Sequence, residues 1–420
     1  MNPIITAAEL QRRLIRRTDH VSCAEAFIDC RMPGSVPKDN FSFIGPGVTQ
    51  SAEQFVNLRE PHGFNFGAAG LPPGVTNNQH LHFTSETFIA AGSRFTLRWG
   101  AAGDEGEMEM NPGDIACMPP WMFRGFTNTG DAYGLMLTVL GGDDTGGIIW
   151  SPDVIRRARA TGLYLGRDNQ LIDTARPDGS LADAPAESGL LPLMPAHEVA
   201  ALRRRTVAEM RGRALLLAER DFRPATLDAL LPGHGWQLAP AVGFGLSQHR
   251  DHAPRVMEPQ GFSVEWLRVG PGQASAPFFT DEAMVLLQMS PSLEVQINRG
   301  AAMLTTTLGE HDALSVPAGA WRSLVNRSDA PAEAIVVLAG SLRKQPHFGA
   351  ATVQEALRAD VALASLALAA ITATANICTS VSPRCTTSSV SKRVEKTVWP
   401  VHAHQINAKS GANRARPTRE

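Results

Sequence analysis

Apolar and polar positions alternate with different periods along the chain, and the periods divide it. Residues 7–17 (AAELQRRLIRR) carry apolar side chains at three- and four-residue spacing and predict a short amphipathic helix. From about Phe41 to residue 150 the texture changes to short apolar runs broken by Gly, Pro and Asn, which predicts strands joined by tight turns. FTLRWG at 95–100 and YGLMLTVLGG at 133–142 are two such strands. Helical spacing returns at 153–162 (DVIRRARATG), with a Gly to close the helix, and again over 196–220. Between them, residues 173–189 are rich in Asp, Pro, Gly and Ala and predict a linker. From about Thr372 the chain is rich in Ser, Thr and Ala, then basic, with no apolar period; a disordered tail is expected.

The strand-rich texture occurs twice. Glu60-Pro61-His62-Gly63-Phe64 recurs as Glu258-Pro259-Gln260-Gly261-Phe262, HFTSETFI at 82–89 aligns with FFTDEAMV at 278–285, and GDIACMPPWMFRGFTN at 113–128 aligns with HDALSVPAGAWRSLVN at 311–326. The offset is 198 residues at the first and third segments and 196 at the second. One β-rich unit of about 100 residues is therefore present in two copies, each followed by a helical stretch, 153–162 and 352–369.

Composition narrows the function classes. The chain has 420 residues, 37 Gly and 29 Pro, and its 43% hydrophobic residues suffice for two cores. A net charge of −2 gives no general support for nucleic acid or an anionic membrane as partner. The basic tail could bind nucleic acid but is read as an inert extension. Five scattered cysteines (Cys23, Cys30, Cys117, Cys378 and Cys385) form neither a disulfide framework nor a thiolate metal site. The N-terminus has no secretory pattern, and the longest apolar stretch, 362–371, is too short to span a bilayer, so a cytoplasmic protein is expected.

The chemistry concentrates in the first copy. Gly74 is followed after five residues by His80-Leu81-His82, and after three more by Glu86. A strand places residues i and i+2 on one face, so His80 and His82 would point together into a barrel and Glu86 can join them. Two imidazoles and a carboxylate make a facial ligand set with open positions for substrate or dioxygen. The structural alternative is a metal-free pocket in which Arg124 pairs with Glu86. It leaves two buried neutral imidazoles unexplained.

Gly74-x5-His80-x-His82-x3-Glu86 resembles the first cupin motif, and Gly113-Asp114-x4-Pro119-x4-Arg124-x3-Asn128 resembles the second. The resemblance covers about residues 60–142 and, in degenerate form, 258–340. It implies small jelly-roll barrels that hold Fe, Mn, Ni or Zn through three His and one Glu. The chain departs from the pattern in three places: Arg124 stands in the slot of the third His, Trp121 in that of the usual Gly, and Gly92 lies one residue closer to Glu86. A guanidinium has no lone pair to give a metal. Three protein ligands remain, enough for a non-haem Fe(II) oxygenase. Arg124 then either pairs with Glu86 or receives a substrate carboxylate, with Trp121 and Phe123 beside it. In the second copy the aligned positions are Ala276, Phe278, Glu282 and Arg322, so no metal and a structural Glu282–Arg322 pair are expected there.

The expected fold is all-β: two tandem cupin barrels with flanking and linking helices. The divisions are a helical arm (1–40), a metal-bearing barrel with its following helix (41–172), a linker and helix (173–230), a degenerate barrel with its following helix (231–371) and a tail (372–420). Trp121, two residues after Pro119, is similar to the gentisate-type ring-cleaving dioxygenases. That resemblance implies an Fe(II)-dependent dioxygenase acting on a small aromatic or carboxylated compound, with His80, His82 and Glu86 on the metal and Arg124 and Trp121 on the substrate. A redox-neutral cupin enzyme (isomerase, decarboxylase or lyase) using Mn, Ni or Zn stays open, as does a non-catalytic small-molecule-binding bicupin. The partner is a small molecule, with neither nucleic acid nor membrane; a homo-oligomer stays open. His62 is read as a turn or interface residue and Cys117 as a buried small hydrophobe. His402 and His404 lie in the tail, without a carboxylate at the right spacing. No phosphate loop, G-x-S-x-G elbow or HExxH helix is present.

Overall fold

The fold is that of a computed structural model, which describes residues 2–176 and 178–359. The expected tail, with Cys378, Cys385, His402 and His404, and the end of the helix expected at 352–369, lie outside these residues.

Phe64–Leu71 and Gly134–Gly141, two nearly continuous apolar runs, pair antiparallel over their whole length, from Phe64↔Gly141 to Leu71↔Gly134. Side chains alternate across a strand, so such runs must be buried on both faces. Leu135, Leu137 and Val139 enter one core and Met136 another. These strands belong to a seven-stranded sheet, in spatial order Ala214–Leu215, Ile115–Met118, Glu86–Ala91, Gly134–Gly141, Phe64–Leu71, Asp39–Ile44 and Val56–Leu58. Its inner face packs on a five-stranded sheet of Ile148–Trp150, Thr76–His82, Arg124–Asn128, Phe95–Trp99 and Gly106–Met110. Phe88 and Met136 from the first sheet and Leu97 and Phe126 from the second share that core.

The second copy repeats this strand order. A six-stranded sheet runs Leu14–Ile15, Ala313–Val316, Met284–Gln288, Ala332–Ala339, Phe262–Val269 and Trp236–Val242. A five-stranded sheet runs Leu304–Leu308, Leu293–Ile297, Arg322–Val325, Phe278–Phe279 and His347–Phe348. The outer faces of the two large sheets meet in a single apolar cluster that contains Phe64, Phe66 and Val139 of one barrel and Phe262, Val264 and Trp266 of the other.

Each barrel is also clasped by the segment that precedes the other. Helix Ala7–Arg13 leads into Leu14–Ile15, which pairs with Ala313–Val316 of the second barrel. Helix Val207–Arg211 leads toward Ala214–Leu215, which pairs with Ile115–Met118 of the first. Both helices are N-capped by threonine, Thr6 accepting from Glu9 N at 3.1 Å and Thr206 from Glu209 N at 3.2 Å. His62 lies at this junction, its Nε2 2.7 Å from Ser315 Oγ, and Arg13 pairs there with Glu60.

Three expected elements are corrected. The helix over 196–220 is two short helices, Ala196–Ala201 and Val207–Arg211, followed by a strand. Tertiary pairing wins over helical spacing here, because Ala214 and Leu215 gain a sheet partner and their side chains enter two different cores. The helix over 7–17 stops at Arg13 for the same reason, giving Leu14 and Ile15 to a sheet. The expected linker begins inside a strand, Leu171–Asp173, paired with Leu163–Leu165. Helix Pro152–Arg159 starts on Ser151, whose hydroxyl accepts from Val154 N. Among the described residues no helix is long and apolar enough to cross a membrane.

Candidate metal centre

His80 and His82 end the strand Thr76–His82, and Glu86 begins the next strand after a three-residue turn. Arg124 begins the strand beside them, in register with His80. All four are buried, with at most 4% exposure. The Nε2 atoms of His80 and His82 lie 4.0 and 3.5 Å from Glu86 Oε2, and one donor atom from each of the three residues lies within 4.8 Å of the others.

Hydrogen bonds on the far side of each ring fix what faces the centre. His80 Nδ1 donates to Asn78 O at 2.7 Å and His82 Nδ1 to Gly147 O at 3.2 Å. Carbonyls only accept, so Nδ1 carries the proton and Nε2 presents its lone pair inward. Burial first, then His82 and Arg124, hold His80 well below its ordinary pKa; burial and then Arg124 lower His82. Both rings are therefore neutral. Burial would raise the Glu86 carboxyl, but its surroundings outweigh that and bring it to about 2; with both rings neutral, the charge standing beside it is that of Arg124. Two lone pairs thus converge on a carboxylate, and His82 Nε2 is buried with no hydrogen-bond partner. Acceptors facing acceptors leave a gap that a donor or a cation can fill. The donor set fits a divalent metal, and the carbonyl partners are the outer support such ligands use.

The cavity beside these residues measures about 50 Å³ and is lined by His80, His82, Glu86, Asn77, Asn65 and Gly67 among others. Arg124 is not in its wall. Its Nε donates to Glu86 Oε2 at 3.2 Å and its Nη1 to Met122 O at 3.0 Å, while Nη2 is buried without a partner. Trp121 is 47% exposed and meets Phe83 edge-on at 5.0 Å between ring centres. It too is absent from the wall. Its φ of 57° is the left-handed backbone that explains the usual glycine at this slot. Cys117 is fully buried beside Arg213, and Phe123 is buried.

No protein-family model and no curated protein matches the chain. Among solved structures it is similar to oxalate decarboxylase from Lactobacillus farciminis, at 13% identity over 82% of this chain and 90% of that one, with a TM-score of 0.47. It is also similar to vicilin from tomato, Solanum lycopersicum (11%, 80% and 87%, 0.47). A third is the 7S globulin of Momordica charantia (10%, 80% and 86%, 0.46). The two barrels of matching strand order are present in the chain itself, with the HxHx3E residues converged in the first. The fold is a bicupin.

In this bicupin the strand register corrects the alignment of the second copy. Arg124 pairs with His80, and Arg322 with Phe278. Glu86 sits across from Met118 and Leu140, and Met284 across from Val316 and Leu338. The offset is thus 198 throughout, and the counterparts of His80, His82 and Glu86 are Phe278, Thr280 and Met284, not Ala276, Phe278 and Glu282. The error came from matching two Phe-Thr-x-Glu-like strings that lie two residues apart. Glu282 accordingly pairs with Lys344 at 2.8 Å, and the expected Glu282–Arg322 pair does not form. Arg322 instead donates to Ala320 O and Thr280 Oγ1, and has no carboxylate partner among the described residues. The second barrel offers no imidazole or carboxylate at any of the three positions. The only cluster of three or more ligating groups among the described residues is His80, His82 and Glu86.

Sequence reasoning missed Asn77, Lys38 and Asp29, which meet beside His80. The signal was available: two adjacent asparagines in mid-strand are poor strand formers and mark an irregularity.

Proposed function

We propose that the chain is a metal-dependent bicupin enzyme with one divalent cation, held by His80, His82 and Glu86, acting on a small carboxylated compound. The observation that carries this reading is the convergence of two buried imidazole lone pairs on a buried carboxylate, with His82 Nε2 unpartnered. Bound there, a divalent cation supplies Lewis acidity and open coordination positions. The chain supplies the rest: Asn78 O and Gly147 O hold both rings in the donor tautomer, and Arg124 holds the Glu86 carboxylate in its ionised form.

Three protein ligands favour Fe(II) and dioxygen, as in the two-His, one-carboxylate oxygenases. A second, redox-neutral reading such as a decarboxylase or lyase needs the same three ligands and no dioxygen. Elemental analysis of protein purified without added metal should give close to one metal per chain. Dioxygen consumption during turnover of candidate small carboxylates then separates the two chemistries. A metal-free preparation that cannot be loaded would remove both.

A further inference from the structure

The strand that delivers the histidines is irregular just before them. Arg124 lies across from His80, but Phe126 lies across from Asn77, so two steps on one strand face three on the other. Such a bulge re-aims a side chain. Asn77, an odd number of residues before His80, joins His80 and His82 in the cavity wall, where regular alternation would turn it away.

The amide of Asn77 is oriented by a buried charge. Lys38 Nζ donates to Asn77 Oδ1 at 2.8 Å and to Asp29 Oδ1 at 2.5 Å. An ammonium has only donors, so this contact identifies the amide oxygen and turns the NH2 toward His80. The nitrogen it approaches there, His80 Nδ1 at 3.5 Å, already donates to Asn78 O and cannot accept. Asn77 Nδ2 therefore has no acceptor among the described residues. Lys38 is itself immobilised: it is 4% exposed, and Asp29, fully buried, also accepts from Asn78 N and Nδ2 at 3.2 and 3.0 Å.

We infer that Asn77, in the cavity wall, supplies through Nδ2 the donor that receives an oxygen of a small carboxylate at the metal centre, with Lys38 as the positioning residue that engages the amide oxygen and leaves the NH2 free. This rests on the metal reading above. The ligand is a small carboxylate, with one oxygen toward the metal and the other on Asn77. The role expected for Arg124 thus falls to a residue of the first barrel's ligand strand and one from the N-terminal arm.

The test uses the full chain loaded with Zn(II), which removes redox turnover, and titrates it with acetate by calorimetry, with metal content and melting temperature measured on the same samples. Asn77→Leu keeps the volume and removes the N–H groups. It should weaken acetate about tenfold or more, the loss of a hydrogen bond to a charged group, with metal still near one per chain. Asp29→Asn/Lys38→Met keeps Asn77 but frees its amide, and should weaken acetate severalfold with metal retained. Acetate affinity within twofold of wild type in Asn77→Leu, at full metal content, overturns the role of Asn77 and leaves the metal reading standing. Should that variant not fold, unchanged affinity in the double variant does the same. Metal loss in Asn77→Leu would make Asn77 a mere support of His80, and wild type that takes up no Zn(II) would overturn this inference and the metal reading together.

Discussion

Glu265→Gln is expected to flatten the pH dependence of stability between about pH 4.5 and 8. Glu265 lies on Phe262–Val269 at the position that Gly67 occupies in the first barrel, both strands pairing in the same register with their neighbours. Gly67 lines the cavity of the first barrel, whereas Glu265 is fully buried in the second. Gly245 makes room for it: a Cβ there would lie 2.5 Å from the Glu265 carboxyl carbon. The carboxyl has one bond, from Leu246 N to Oε1 at 2.7 Å, and Oε2 has none. Burial pushes its pKa from 4.5 up to about 8, against the pull of Leu246 and Arg343. The folded protein therefore keeps a proton that the unfolded chain releases above 4.5. This contribution to stability is fully present below pH 4.5 and is lost as pH rises through 8. At 1.36 kcal/mol per pH unit the loss is about 5 kcal/mol across the window. Glutamine can still accept from Leu246 N and never ionises. Urea unfolding at intervals from pH 5 to 9 measures the effect: the wild-type curve should fall relative to the variant, most steeply between pH 5 and 8. Parallel curves would show that Glu265 does not hold a proton in the folded state, and the reasoning from burial would be refuted.

Four further outcomes are expected. His80→Ala/His82→Ala should drop metal content from near one per chain to near zero, and close to two metals in wild type would contradict the register of the second barrel. Arg124→His adds an imidazole where the cupin motif has one and should tighten metal binding, read by chelator competition; unchanged affinity would place Arg124 outside the ligand sphere. Met284→Glu sets a carboxylate at the counterpart of Glu86, toward the unpaired Arg322. It should cost less than the 3–5 kcal/mol typical of an unpartnered buried charge, and a full loss in denaturant unfolding would refute the corrected alignment. Thr206→Ala removes a capping box and should cost about 1 kcal/mol, measured the same way.

The sequence by itself determined the duplication, the all-β class and the convergence of His80, His82 and Glu86, because these depend on period and spacing. A period of two places His80 and His82 on one face whatever surrounds them. Trp121 was legible as a departure from glycine, though only the backbone shows that it takes the left-handed turn all the same. What the tertiary structure decided depends on partners far apart in the chain. Leu14–Ile15 and Ala214–Leu215 are strands because the opposite barrel offers each a free edge, information that no local window contains. The counterpart of Glu86 is Met284 because strand register, fixed by pairing, overrules a short string match. Arg124 meets Glu86 and not the cavity, and Asn77 enters the wall through a bulge. Side-chain direction at such irregular points is set by hydrogen bonds from neighbouring strands and from Lys38, thirty-nine residues upstream, and only folding brings those groups together.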